Sequence, residues 1–350
     1  MKDSAKYVIE RIIFILLTLF IILSVTYILL QCLPPNINTS SFTEEYRYWE
    51  NQVTLGFYYR VTNPGDIAAG KWEEWAEING QRYYYAPYPI LYRYWVWLCN
   101  VFGKWDWGTS TSVALNQNVI SIIAMRLPAS MKLNIVSIIV SIPLGLGLGI
   151  WAALKKNTWV DATISTIIMI FISVPSFVLI SFLLIGFGNI DGWPMRWPSE
   201  ANAAADPLLA VEAYVIPVLS LSFGSICSFA RYTRAELCEV MSSEFLLLAR
   251  TKGLTRGQSV VRHALRNSLV PIVPMIIGQF VSIISGSMVL EQIYGIPGIG
   301  TLFVNAINAQ DYPVIMVDMA VYTTIGLFAT LLVDLSYGIV DPRIRMGAKK

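Results

Sequence analysis

The chain has 350 residues, 55% of them hydrophobic and 14% charged, with a net charge of +2. A soluble domain carries about 25% charged residues, so the composition argues against an ordinary soluble enzyme, excludes a strongly basic nucleic-acid binder and points to a protein that crosses a membrane several times. The four cysteines, Cys32, Cys99, Cys227 and Cys238, make no CxxC pair, and the single histidine, His263, cannot complete a zinc site with them; a Cys32–Cys99 bridge and a lone buried Cys32 thiol both stay open.

Met1 to Arg11 is short and basic, and Ile12 to Leu33 follows without a charge, long enough to span. The run ends in Pro34-Pro35 rather than at a small-residue cleavage site, which predicts an uncleaved first helix. Residues 34–112 hold no run able to span. They are crowded with Tyr46, Tyr48, Trp49, Tyr58, Tyr59, Trp72, Trp75, Tyr83, Tyr84 and Tyr85, too aromatic for a disordered linker and expected to form a small folded insertion. Two roles stay open for these rings: an interfacial belt or a docking surface for an outer protein.

A second span is predicted from Leu133 to Leu154, led in by Arg126-Leu127-Pro128-Ala129-Ser130. Gly145 and Gly149 have the GxxxG spacing that lets helices approach closely; no strand precedes Gly145-Leu146-Gly147-Leu148-Gly149, so it is not a phosphate loop. A third span runs from Ala162 to Ile190, kinked at Pro175. Asp191 to Glu212 reads as an acidic loop, and a fourth span, Ala213 to Ala230, continues into water through Arg231, Arg234, Glu236 and Glu239.

The next stretch, 242–267, is rich in positive charge. Ser242 and Ser243 can cap a short helix from Glu244 to about Lys252, and Gly253 stands where a left-handed residue ends it. Thr255 and Gln258 have capping-box spacing for a second helix, with Val260, Val261, Ala264 and Leu265 on one face and Arg262 and Arg266 on another. A fifth span follows from Leu269 to Leu290, where Gly278, Ser282 and Gly286 repeat every four residues; Gln279, Ser282 and Ser285 are the candidate pore-lining positions. The sixth span covers about Pro313 to Val340 and holds Asp318 and Asp334, both toward its ends and so expected at the interfaces.

The stretches Ala249-Arg250-Thr251-Lys252-Gly253-Leu254 and Arg262-His263-Ala264-Leu265-Arg266-Asn267-Ser268-Leu269-Val270-Pro271 resemble the coupling loop of permease subunits in binding-protein-dependent ATP-binding-cassette (ABC) importers, the oligopeptide/dipeptide (nickel) branch above all. Tyr92 to Leu98, Gly103 to Gly108, Glu291 to Gly300 and Asp341 to Arg345 are similar to the same branch. The wider family's signature is Glu-Ala-Ala, three residues, then Gly; here Leu247-Leu248-Ala249 precedes Gly253, so the acidic residue is missing.

The resemblance implies an all-α membrane protein, six transmembrane helices of the type I ABC importer permease fold, with the aromatic insertion extracytoplasmic between helices 1 and 2. It divides the chain into 1–33 (cytoplasmic N-terminus and first helix), 34–112 (insertion) and 113–350 (core permease domain). The implied partners are a second permease subunit, two cytoplasmic ATPases and an extracytoplasmic binding protein. The implied ATPase-coupling residues are Glu244, Phe245, Leu246, Leu247, Ala249, Gly253, Arg262 and Arg266, with Phe245, Leu246 and Leu247 as an apolar knob. The implied cargo is a di- or oligopeptide; oligosaccharides and nickel chelates also occur in the branch.

Lysine and arginine placement predicts both termini and the 242–267 loop in the cytoplasm of a plasma-membrane protein. No GxxxxGK[ST] loop occurs, so ATP is expected on partner subunits, with no cofactor, metal or catalytic residue in this chain. Gly224-Ser225 is no hydrolase site, since His263 is predicted on the cytoplasmic side and Ser225 in the bilayer. The rival class is a secondary transporter or channel; no convincing internal repeat supports it, and only Asp318 and Asp334 are candidates for ion coupling.

Overall fold

The computed structural model describes the backbone of residues 2–33, 41–282 and 288–340, and side chains over 6–33, 41–255, 257–279 and 288–336. Gly286, Ser285, the side chain of Ser282 and the 341–345 tail lie outside the described residues.

In chain order the elements are α1 (Lys2–Gln31), α2 (Phe42–Leu55), β1 (Tyr58–Val61), α3 (Pro64–Ala68), β2 (Glu74–Ile78), β3 (Gln81–Pro87), α4 (Ile90–Lys104) and α5 (Val119–Leu154). There follow α6 (Trp159–Ile172), α7 (Ser176–Phe187), α8 (Glu200–Ala205), α9 (Pro207–Met241), α10 (Glu244–Thr251) and α11 (Arg256–Ser259). A π-helical turn (Val260–Ala264) leads into α12 (Leu265–Ser268), α13 (Ile272–Ser282), α14 (Met288–Tyr294), α15 (Ile299–Asn308) and α16 (Tyr312–Val340).

Among the described residues, four helices are long and apolar enough to cross a membrane singly: α1, α5, α9 and α16. Two bent pairs, α6 with α7 and Gly257–Ser268 with Ile272–Gln279, raise the count to six when each is taken as one span. The first bend is 104°, far beyond the proline kink expected inside a continuous third helix. Pro175 lies outside both helices, at the N-cap of α7, and no helix passes through it. In the second pair, which bends by 56°, Arg262, His263, Arg266 and Asn267 are all exposed, so its first half carries a charged face suited to water.

The second span also departs from expectation. It begins at Val119, not Leu133, and contains Pro128 and Pro143. The apolar run is shorter than the helix because Arg126 and Lys132 are exposed on its surface. Hydropathy stops at a charge; a helix does not.

The chain divides into two compact units. One comprises Phe14–Leu127 and Thr301–Thr324. Within it, 41–87 builds a small mixed fold: a three-stranded antiparallel sheet of order β1-β3-β2 packed under α2. The β2–β3 hairpin turns at Asn79-Gly80, both left-handed (φ 52° and 74°), the two-residue turn whose twist suits paired strands. Tyr48, Trp49, Tyr58, Ala76 and Tyr85 form its buried core, with Trp49 stacked on Tyr85 at 5.8 Å. Four of the ten listed rings, Tyr48, Trp49, Tyr58 and Tyr85, are therefore taken up by packing, while Tyr59 and Trp75 are exposed.

In the same unit Tyr27 stacks on Trp97 at 4.6 Å, and Leu23, Val101, Met316 and Ala320 pack around them. Asp311 is fully buried: its Oδ2 accepts Ser110 Oγ at 2.5 Å and the backbone N–H groups of Thr111, Ser112 and Val113 at 3.1, 3.0 and 2.9 Å. Four donors on one carboxylate oxygen hold the 110–113 backbone in place.

The second unit holds 1–13, 128–300 and 325–350. Its centre is α9, opened by Pro207 behind an Asp206 side chain that accepts from Leu208 N and Leu209 N. Gly145 and Gly149 of α5 lie against it: a Cβ on Gly149 would stand 2.6 Å from Ala230 O, and one on Gly145 2.6 Å from Phe229 Cβ. The GxxxG spacing thus marks a helix contact.

Candidate functional site: the 242–267 loop

The loop starts where α9 stops. Ser242 Oγ donates to Glu239 O (2.7 Å) and Ser243 Oγ to Val240 O (2.5 Å). Both hydroxyls satisfy the end of α9 rather than capping α10 as expected, because carbonyls left open by α9 lie within reach of the first residues past it.

On α10, Leu246 is buried (4% exposed), in a cluster with Ala153 of α5, Leu237 of α9, Val260 and Ala264. This corrects the expected knob of Phe245, Leu246 and Leu247. Leu246 is the anchor, and its burial is worth roughly 1.5–3 kcal/mol. Phe245 (44% exposed), Leu247 (62%) and Leu248 (57%) are the apolar residues that face outward. Glu244 is exposed and Ala249 half-buried.

Gly253 ends α10 with φ +93°, and no atom lies within 4 Å of where a Cβ would stand. The glycine is needed for the backbone angle, not for space. Thr255 and Gln258 then form the expected capping box: Thr255 N donates to Gln258 Oε1 (3.1 Å), and Gln258 N to Thr255 Oγ1 (3.3 Å).

The π turn was not legible. Leu265 N reaches back to Val260 O, inserting one residue into the turn and shifting the faces beyond it. Val260 and Ala264 stay buried, but Val261, expected beside them, is 65% exposed. Arg262 and Arg266 are exposed, and among the described residues neither Arg250, Arg262 nor Arg266 forms an ion pair. The loop therefore shows water an apolar patch beside free positive charge. Its inner side is tied to α5 and α9.

Of the pore candidates, Gln279 donates Nε2 to Ser225 Oγ of α9 at 2.8 Å. Asp318 is fully buried, while Asp334 is joined to Arg11 at 3.1 Å. Cys32 and Cys99 are both free thiols.

The Glu291-to-Gly300 motif has a packing logic that sequence reasoning missed. Glu291 is fully buried and accepts from Ser130 Oγ at 2.6 Å; that hydroxyl in turn accepts from Ile299 N at 3.0 Å. A Cβ on Gly298 would fall 2.3 Å from Ser130 Oγ, and one on Gly300 2.8 Å from Met288 Cα. Gly295 is left-handed at φ 74°. The glycines allow the chain to fold back over its own carboxylate.

Residues 145–346 match the family described as "Binding-protein-dependent transport system inner membrane component". The chain is 31% identical over 347 residues to the dipeptide transport system permease protein DppB of Bacillus subtilis, covering 99% of each chain. It is 32% identical over 295 residues to the oligopeptide transport system permease protein OppB of Escherichia coli, covering 84% of this chain and 94% of that one. Among solved structures, an inward-facing form of the MetNI methionine ABC transporter aligns with TM-score 0.46 and 18% identity, covering 66% of this chain and 98% of that one. The chain belongs to the binding-protein-dependent transport system inner membrane component family and is a multi-pass membrane protein. That family is one of transport permease subunits, not of catalysts.

Proposed function

We propose that the chain forms half of the translocation pathway of an ATP-driven importer for di- or oligopeptides. It would pair with a second, similar permease subunit, take cargo from an extracytoplasmic binding protein and be driven by two cytoplasmic ATPases. The cargo reading rests on likeness along nearly the whole chain to proteins named as dipeptide and oligopeptide permeases. Both termini and the 242–267 loop are assigned to the cytoplasm on the placement of Lys2, Lys6, Arg11, Lys155, Lys156, Arg250 and Lys252.

The observation that carries the mechanism is the two-sided coupling loop. Its outer side offers Phe245, Leu247 and Leu248 to a groove on an ATPase, and exposed apolar groups of this kind mark interaction sites. Its inner side hooks Leu246, Val260 and Ala264 onto α5 and α9. A push on α10 is then passed to helices held together at Gly145 and Gly149. Closure of the motors would switch the pathway between outward and inward access. Glu244, Ala249, Gly253, Arg262 and Arg266 complete the coupling surface; Gln279 with Ser225, and Ser282 and Ser285, are the proposed pathway residues.

The test is uptake of labelled dipeptides and longer peptides by cells that lack this chain, with and without its return. Peptide uptake should fall and recover. Unchanged peptide uptake, with loss of oligosaccharide or nickel-chelate uptake instead, would reassign the cargo. Gradient-driven uptake with no ATPase co-purifying would replace the importer reading by a secondary transporter.

A further inference from the structure

A cavity of about 110 Å³ lies within the unit made of Phe14–Leu127 and Thr301–Thr324. Arg93, Trp107, Thr111, Tyr27, Trp97 and Met316 contribute to its wall. Arg93 is nine-tenths buried. Its Nη1 donates to Gln31 Oε1 at 2.6 Å, but its Nε is buried without an acceptor, and no carboxylate among the described residues forms an ion pair with it. A guanidinium cannot shed its proton to escape burial.

Two more donors on the same wall, Trp107 Nε1 and Thr111 Oγ1, are also buried without an acceptor. Buried donors of this kind are rare in folded proteins and call for an acceptor. All three residues line the same space, and one of the donors belongs to a group with a full positive charge. Asp106 shares the wall, with its Oδ1 already accepting from Gly108 N at 2.9 Å. The single positive charge of Arg93 matches one carboxylate. About 10–15 Å³ on this measure holds one water, so the volume is enough for a small carboxylate. Tyr27, Trp97 and Met316 supply apolar wall for the carbon end.

We propose that this cavity binds a small monocarboxylate, held by the Arg93 guanidinium with Trp107 Nε1 and Thr111 Oγ1 as further donors. Such a fork-and-carboxylate pairing is among the strongest geometries available to side chains. The site lies in α4 and the 105–111 segment, apart from the coupling loop, and its occupancy does not depend on what the protein transports.

The experiment uses the full-length chain purified in detergent, with ¹³C-acetate as probe. Binding is followed by saturation-transfer resonance and by the acetate dependence of thermal unfolding, against chloride and glycerol phosphate at matched ionic strength. Acetate should bind saturably and raise the unfolding temperature, while chloride and glycerol phosphate do neither. Arg93→Met should abolish the response. Arg93→Lys, which keeps the charge but loses the fork, and Thr111→Val should each weaken it roughly tenfold or more. A wild-type chain that shows no saturable acetate response overturns the site, as does an Arg93→Met chain that keeps one. Saturable binding of glycerol phosphate instead would overturn it in favour of a lipid headgroup. Should Arg93→Met fail to fold, unaltered acetate affinity in both Arg93→Lys and Thr111→Val overturns the proposal. Because the readout is binding and not uptake, its failure leaves the permease reading untouched.

Discussion

Arg234 of α9 holds Asp161 of α6 with two prongs of its guanidinium, Nε to Oδ1 at 2.5 Å and Nη2 to Oδ2 at 2.8 Å. Asp161 Oδ2 also accepts from Asn157 N at 3.0 Å, so one carboxylate fixes the 155–158 turn and the α6–α9 contact together. Its side chain is 5% exposed and that of Arg234 32%, so solvent screens the pair only in part. Asp161→Asn should destabilise the detergent-purified chain by about 1.5–3 kcal/mol, the range for bonds to charged groups. Arg234→Lys should lose most of the same amount, because an ammonium lacks the fork. Thermal unfolding of both variants and of the double variant checks this, with strong non-additivity expected.

Gly149 and Gly147 should behave oppositely under the same substitution. Gly149→Ala brings a Cβ 2.6 Å from Ala230 O and Thr233 Cβ, whereas Gly147→Ala meets nothing within 4 Å. The first should lose about 1–3 kcal/mol through overpacking. The second should be neutral or gain up to about 1 kcal/mol from helix propensity. Chemical denaturation in detergent distinguishes them.

The insertion should respond to pH through Glu74, whose pKa is raised by burial first and then by Glu73 and Glu45. A raised carboxylate pKa means that the folded form binds the proton more readily than the unfolded one. The stability from this group is therefore present below the ordinary glutamate range and is lost as pH rises through the raised value. Hydrogen exchange of the 58–87 strands, corrected for the intrinsic rate, should show more protection near pH 4.5 than near neutrality. Glu74→Gln should flatten that dependence.

The order and number of spans could be read from hydropathy and from the lysines and arginines, and the capping box at Thr255 and Gln258 from spacing alone. These signals are local. What the sequence hid depends on contacts far along the chain or on small shifts of phase. Pro175 marks the break but not its 104° angle, and the π turn beside the exposed Val261 carries no compositional mark. Leu246 cannot be told from its neighbours by residue type, because of three leucines in succession only the first is buried. The Asn79-Gly80 hairpin is legible in the sequence, being a strong turn pair between aromatic runs.

Gly253 separates geometry from contact. Its φ of +93° makes any side chain there cost about 1–2 kcal/mol of backbone strain, with no clash to relieve. Gly253→Val should lower peptide uptake by misdirecting the 256–268 helix while the ATPase still co-purifies. Uptake assays beside pull-down, at matched membrane expression, read the two effects apart.

The coupling loop itself is tested most directly by co-purification of the ATPase with a chain carrying Phe245→Ala and Leu247→Ala. Both side chains face outward, so their removal should spare the fold. Burying each against a partner is worth roughly 1.5–3 kcal/mol, and together they should lower ATPase affinity by about two orders of magnitude or more. Loss of the ATPase and of uptake from a chain that still reaches the membrane in normal amounts is the expected result. Full ATPase binding and full uptake in the double variant would contradict the assignment of this loop as the seat of the motor.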